Sequence, residues 1–132
     1  MNSIELLQEY PKAATVVKQW MLNQLLESLK DETLPEDFKE NVRQMGIDDE
    51  RIAALIDVNP RGLFDCFDEQ KVYINMAPIC IGMNTENKKV EYLYGINIFE
   101  SADYTPTPTY STRKEAEKEA IKEAFKILNE KL

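Results

Sequence analysis

At 132 residues with 43% apolar side chains, the chain has the length of one domain and enough apolar surface for a core without disulfides. It carries a net charge of −8 and no histidine, which removes the commonest general base and the commonest neutral metal ligand together and sets an acidic field against phosphate and anionic membrane. Cys66 and Cys80, the two thiols, make neither a zinc site nor a secreted disulfide framework.

The charge is unevenly spread. Residues 1–59 hold 12 acids and 6 bases, for −6, and residues 60–132 hold 12 acids and 10 bases, for −2. The first ten residues include Glu5 and Glu9 and lack a basic, apolar leader. No apolar run approaches the roughly 18 residues of a membrane span. The expectation is a cytoplasmic protein with no membrane partner.

In chain order, Ser3 is placed to cap a short helix to Glu9, and Pro11 suits the first turn of the next. From Ala13 to Leu29 the row Ala13, Val17, Met21, Leu25 and Leu29, widened by Val16, Trp20, Leu22 and Leu26, predicts an amphipathic helix. Asp31 to Leu34 break it. Pro35 opens a third helix with Glu36 and Asp37 in its first turn, ended by Gly46, and Asp48 caps a fourth to about Val58. Asn59 to Gly62 reads as a turn.

Beyond Gly62 the pattern reads as strand. Leu63–Phe67 and Lys71–Met83 flank Asp68, Glu69 and Gln70 as a hairpin loop, which puts Phe64, Cys66, Val72, Ile74 and Met76 on one face. Ile79 and Ile81 then carry the wrong parity, so a bulge is predicted at Ala77 and Pro78. A turn at Asn84–Asn87 leads to a third strand on which Val90, Tyr92, Tyr94, Ile96 and Ile98 alternate. Ser101 to Ser111 is an extended connection. Thr112 and Glu115 form a capping box for a last helix, whose strip Ala116, Ala120 and Ala124 is flanked by Ile121, Phe125, Leu128 and Leu132. The expected architecture is a single α+β domain over 1–132. A helical lobe, 1–59, precedes a β-β-β-α unit, 60–132, with the long helix packed on one face of a three-stranded antiparallel meander.

No acid, base or nucleophile constellation is legible, and no cofactor or metal set. Asp65, Asp68 and Glu69 cluster carboxylates, but strand alternation sends Asp65 and Asp68 to opposite faces. Acids beside Cys66 raise a thiol pKa, which makes it a core thiol. Tyr73, Tyr92, Tyr94, Tyr104 and Tyr110 read as sheet-face packing or as a stacking platform. The order helix, three strands, helix over 48–132, with the stretch from Ser111 to Ala120, resembles the double-stranded RNA-binding domain. Arg113 and Lys114 match the first two bases of that family's phosphate-gripping motif and Ala116 its alanine, while Glu117 stands where a third lysine belongs. The resemblance implies nucleic-acid contact through Arg113, Lys114, Lys118, Lys88 and Lys89.

A second resemblance covers nearly the whole chain. Tyr10 and Pro11, Asn59 to Glu69, and Tyr110 to Ile121 are similar to stretches of small proteins without assigned activity from Bacteroides-type bacteria and their phages or prophages. It implies a phage or mobile-element origin and carries no catalytic residue. The expectation is a small acidic, non-enzymatic module that binds a protein partner, with Trp20, Met21 and Leu22 as its contact residues.

Overall fold

The computed structural model describes residues 2–28, 30, 34–82, 86, 88–97 and 108–132. Helix α1, Ser3–Glu9, begins with a capping box in which Asn2 Oδ1 accepts from the Glu5 N–H at 2.8 Å and the Glu5 carboxylate accepts from the Asn2 N–H at 3.3 Å. The cap is therefore Asn2 rather than Ser3. Ser3 instead joins α1 to a distant helix, its buried Oγ donating to Asp57 Oδ1 at 2.7 Å.

Helix α2, Pro11–Ser28, starts as expected, but its cap comes from the far end of the chain. Asn129 Oδ1 accepts from the Lys12 and Ala13 N–H groups at 3.0 and 3.3 Å, satisfying two orphan donors at that helix start. Helix α3, Glu36–Met45, ends at Gly46, whose φ of 64° is the left-handed geometry that glycine adopts cheaply. Helix α4, Asp49–Val58, is capped by Asp48, which accepts from the Arg51 N–H at 2.9 Å. Four N-terminal helices thus stand where local chemistry places them. Most of the expected break at 31–34, most of the turn at 84–87 and the segment 98–107, which includes Ile98 and Tyr104, lie outside the described residues.

The expected first strand is helical. Pro60–Leu63 forms a 3₁₀ turn that runs directly into α5, Phe64–Glu69, so Asp68 and Glu69 belong to a helix and not to a hairpin loop. Leu63, Cys66 and Phe67 are fully buried, an i, i+3, i+4 set, and Phe67 meets Phe125 edge to face at 5.5 Å. The helix closes with a Schellman turn: Val72 N–H donates to the Phe67 carbonyl at 2.9 Å and Lys71 N–H to the Asp68 carbonyl at 3.0 Å. Lys71 occupies the left-handed position, φ 61°, where glycine is the usual residue.

Two strands follow, β1, Ile74–Ile81, and β2, Lys89–Ile96, antiparallel and in continuous register from Ile74 opposite Ile96 to Ile81 opposite Lys89. The meander of three strands is corrected to two among the described residues. Tyr110 adds a single bridge to Tyr92, with both N–H···O bonds at 2.8 Å. That bridge also explains why no bulge forms at Ala77 and Pro78. Both backbone groups of Tyr92 turn toward Tyr110, so Pro78 opposite it sits in a non-hydrogen-bonded pair and its missing N–H is not needed. Ile79 accordingly stays on the face opposite Ile74 and Met76. The common face predicted for Phe64, Cys66, Val72, Ile74 and Met76 dissolves, because the first two are helical.

Helix α6, Arg113–Lys131, starts at Thr112, which accepts from the Glu115 N–H at 3.2 Å, while Glu115 turns its carboxylate to the Ser111 hydroxyl at 3.1 Å. Ala116, Ala120, Ala124, Ile121 and Phe125 are wholly buried, and α6 packs at once against β2, α2 and the 3₁₀ turn. A core of Leu6, Val17, Ile52, Ile56, Leu63, Phe67, Ile121 and Phe125, among others, draws on α1, α2, α4, the 3₁₀ turn, α5 and α6.

Two predictions arise from these joints. Lys118 Nζ reaches Asp57 Oδ1 at 2.8 Å, and this bond first, with that of Ser3 second, holds the Asp57 carboxyl below the usual carboxylate range. A group so lowered contributes stability above its unfolded pKa of about 3.9, and that contribution is lost as pH falls through the folded value. Asp57→Asn should destabilise by less than about 1 kcal/mol at pH 7, the side chain being half exposed. In urea melts the gap from the native chain should close as pH drops below about 4; a gap unchanged at pH 2 contradicts this. Lys71→Gly should raise stability by about 0.5 kcal/mol, the left-handed strain removed being partly offset by the freer unfolded chain. A lower melting temperature would count against strain at that turn.

Candidate functional site

Two regions bring together the residues that the sequence singles out. The first is the free half of α2. Ala13, Ala14 and Val17 are buried, but beyond Val17 no described side chain of α2 is fully covered. Trp20, Met21, Leu22, Leu25 and Leu26 are all half-buried. Trp20 and Met21 pack against the edge of the core, whereas Leu22 lines a groove of about 220 Å³ with Lys18, Gly46 and Ile47. Helix α3 lies beside this half without a fully buried residue among its described side chains, and Phe38 is 47% exposed. Sequence periodicity marks α2 as amphipathic but leaves Phe38 unremarked, although its i+4 spacing to Val42 on a charged helix is a usable signal.

On the other flank of α2, Val16, Gln19, Trp20 and Asn23 face Glu69 and Gln70 across a groove of about 270 Å³. The Trp20 indole nitrogen is inaccessible to water and has no hydrogen-bond acceptor among the described residues. Gln19 Nε2 donates to Asn23 Oδ1 at 2.9 Å, and Lys131 Nζ donates to the Gln70 carbonyl at 2.7 Å. The helical state of α5 also corrects the reading of its acids. Asp65, Asp68 and Glu69 stand at i, i+3 and i+4, so all three exposed carboxylates share one helix face instead of two sheet faces.

The second region is the start of α6. Arg113 lies over the Tyr92 ring, 5.6 Å from its centroid, and Tyr94 stacks on Tyr110 at 6.2 Å. Burial, then the neighbouring Tyr110, pushes the Tyr94 phenol up to about 12. Lys89 pairs with Glu91 at 2.9 Å, and Glu91 also accepts from the Thr109 hydroxyl, which, ahead of Lys89, holds its carboxyl below the usual range. Lys118 faces Asp57 on α4, while Lys88 and Lys114 are exposed. Glu117, at the third-base position of the RNA-domain motif, is 7% exposed and turned toward Arg61 of the 3₁₀ turn at 3.9 Å.

The hydroxyl of Ser3 and the ammonium of Lys118 both donate to one oxygen of Asp57, and these two bonds, that of Lys118 first, lower the carboxyl pKa and make it a weak base toward the serine proton. Among the described residues no three histidine, cysteine, aspartate or glutamate side chains are placed to hold a metal ion. No helix is long and apolar enough to cross a membrane, again among the described residues. Compared with known proteins, the chain has no significant match to any family model, curated protein or solved structure.

The thiols differ sharply. Cys66 is fully buried and burial, then Glu69, pushes its thiol up to about 12, whereas Cys80 is exposed on β1. Ellman's reagent should therefore titrate one thiol in the folded protein and the second only after unfolding; rapid reaction of both would contradict the placement of Cys66.

Proposed function

We propose that this chain is a small, non-enzymatic, cytoplasmic interaction module that docks a protein partner through its helical lobe. The observation that carries the reading is the incomplete burial of the second half of α2 and of α3. Trp20, Met21, Leu22, Leu25, Leu26 and Phe38 form a run of large apolar side chains covered only in part, next to a core that is already closed beneath Val17. Surface of this kind is characteristic of interaction sites, and Trp20 is the residue type that most often anchors them. The phage or mobile-element setting implied by the stretches at Tyr10, Asn59 to Glu69 and Tyr110 to Ile121 is retained with this reading.

Nucleic-acid binding through Arg113, Lys114, Lys118, Lys88 and Lys89 ranks second. Lys89 and Lys118 are already neutralised within the fold, Arg113 is engaged with Tyr92, and Glu117 is turned inward, so fewer free cations remain to release counterions from a duplex.

The test is photo-crosslinking from a reactive residue placed at Asn23, which is exposed and borders Trp20 in the groove, in the cell that encodes the chain. The expected result is one adduct of defined mass, reduced at least about tenfold by Phe38→Asp, a loss on the scale of one interface anchor, with far-UV circular dichroism unchanged. Absence of a discrete adduct, or one indifferent to Phe38, would rule the reading out.

A further inference from the structure

We infer that the outer seam of α2 pairs with the same seam of a second copy of this chain, antiparallel and about a two-fold axis beside Met21. This rests on the interaction reading above and specifies the partner. Val16, Gln19, Asn23 and Leu26 follow one another at spacings of three, four and three, the rhythm of a helix that packs lengthwise on another. Val16, Gln19 and Asn23 line the groove of about 270 Å³ against the end of α5, and Asn23 and Leu26 line a second of about 300 Å³ against α3. The two hollows therefore meet at Asn23 and run along one stripe of α2. Composition sets this stripe apart from the other long helix. Residues 19–26 carry no charge, a longer uncharged run than in any other described helix. Every exposed residue of α6 is charged, whereas those exposed on α2 between Lys18 and Glu27 are amides, Gln19, Asn23 and Gln24. Loss of charge is what distinguishes the centre of a protein interface from ordinary surface. In a chain of net charge −8 it also marks where two copies can touch without like charges meeting.

Two features select a second copy over an unrelated protein. The first is hydrogen bonding. With the bond from Gln19 Nε2 to Asn23 Oδ1 made at 2.9 Å, the pair keeps a carbonyl acceptor on Gln19 and an NH₂ donor on Asn23. An antiparallel two-fold sets each Gln19 opposite the Asn23 of the other copy, so donor meets acceptor twice, and Val16 meets Leu26 on either side. A second copy supplies that match by symmetry, which an unrelated surface does not. Asparagine at such a seam position also fixes register, at some loss of affinity. The second feature is charge. At one end of the seam α5 bears Asp65, Asp68 and Glu69 against the single cation Lys131, which reaches the Gln70 carbonyl. At the other end Lys39 and Arg43 of α3 border the groove, each beside a glutamate. Antiparallel order lays the acidic end of each copy on the cation-bearing end of the other and keeps the two acidic ends apart, whereas parallel order brings them together.

The test is sedimentation equilibrium of the full chain at physiological ionic strength, over concentrations from about 1 to about 500 µM. The mass should climb from 15.3 kDa toward twice that value. Gln19→Glu with Asn23→Glu should weaken association at least about tenfold, as should Gln19→Lys with Asn23→Lys, because each places like charges opposite one another. Mixing the two variants should restore a dimer containing one of each, with circular dichroism native throughout. In a Cys80→Ser background, Val16→Cys mixed with Leu26→Cys should oxidise to the mixed disulfide, and Leu26→Cys alone should not link to itself. A mass of 15.3 kDa at every concentration, undiminished pairing of the glutamate variant, or self-linking through Leu26→Cys overturns the proposal. An Asn23 adduct whose mass is not twice that of the chain, over a protein monomeric in solution, leaves the interaction reading in place and removes the self-pairing. A dimer carried by the seam, with an adduct indifferent to Phe38→Asp, retains the self-pairing and removes the reading that rests on α3.

Discussion

Everything else in this fold is arranged around the burial of one strip of alanines on α6. Because Ala116, Ala120 and Ala124 present no side chain beyond Cβ, β2, α2 and the 3₁₀ turn can all approach the same helix closely. The larger residues beside the strip, Ile121, Phe125 and Leu128, then fill the space between those elements, and the Phe67–Phe125 contact fixes α5 against them. A larger residue in the strip would push three neighbours away at once. The two ends of α6 also set the positions of distant segments: Arg113 covers Tyr92 at one end, and Asn129 caps α2 at the other.

That cap shapes the surface as well. With the start of α2 fixed by Asn129 and by the burial of Ala13 and Val17, an 18-residue helix rising about 1.5 Å per residue extends well past the core it packs on. Lys18 pairs with Asp49 and so ties α2 to α4 near its midpoint; beyond that point its neighbours are α3 and the end of α5. Both are thin partners, one a ten-residue helix without a fully buried described side chain and the other a helix of six residues. The half-covered state of Trp20 to Leu26 is thus a result of helix length and of where the cap lies, and not of a poorly apolar sequence.

The elements legible in the sequence are those whose boundaries are set by neighbouring residues. Pro11, Gly46, Asp48 and Thr112 each act within one helical turn, and each stands at a helix end. Helix α5 escapes because its determinants are remote or disguised. Leu63 to Phe67 is too short for periodicity to separate helix from strand; what decides is Phe125, some sixty residues away, and the stop signal is a lysine in a glycine position. The misplaced bulge has a similar cause, since the tolerance of Pro78 depends on Tyr110 pairing with Tyr92 from across a connection. The candidate site inherits the first error. Trp20 is visible as an anchor, but Asp65, Asp68 and Glu69 share a face only once α5 is a helix, and no sequence signal announces that Glu69 lies across from α2.

The remaining question is why a chain would keep Trp20 in this setting. A phenylalanine or leucine there would supply comparable apolar contact without leaving a donor unpaired, so on stability alone the indole is the poorer choice. The same holds for the three carboxylates on α5, which form no ion pair among the described residues and repel one another. Places where local rules are broken without an internal gain are where function is expected to reside.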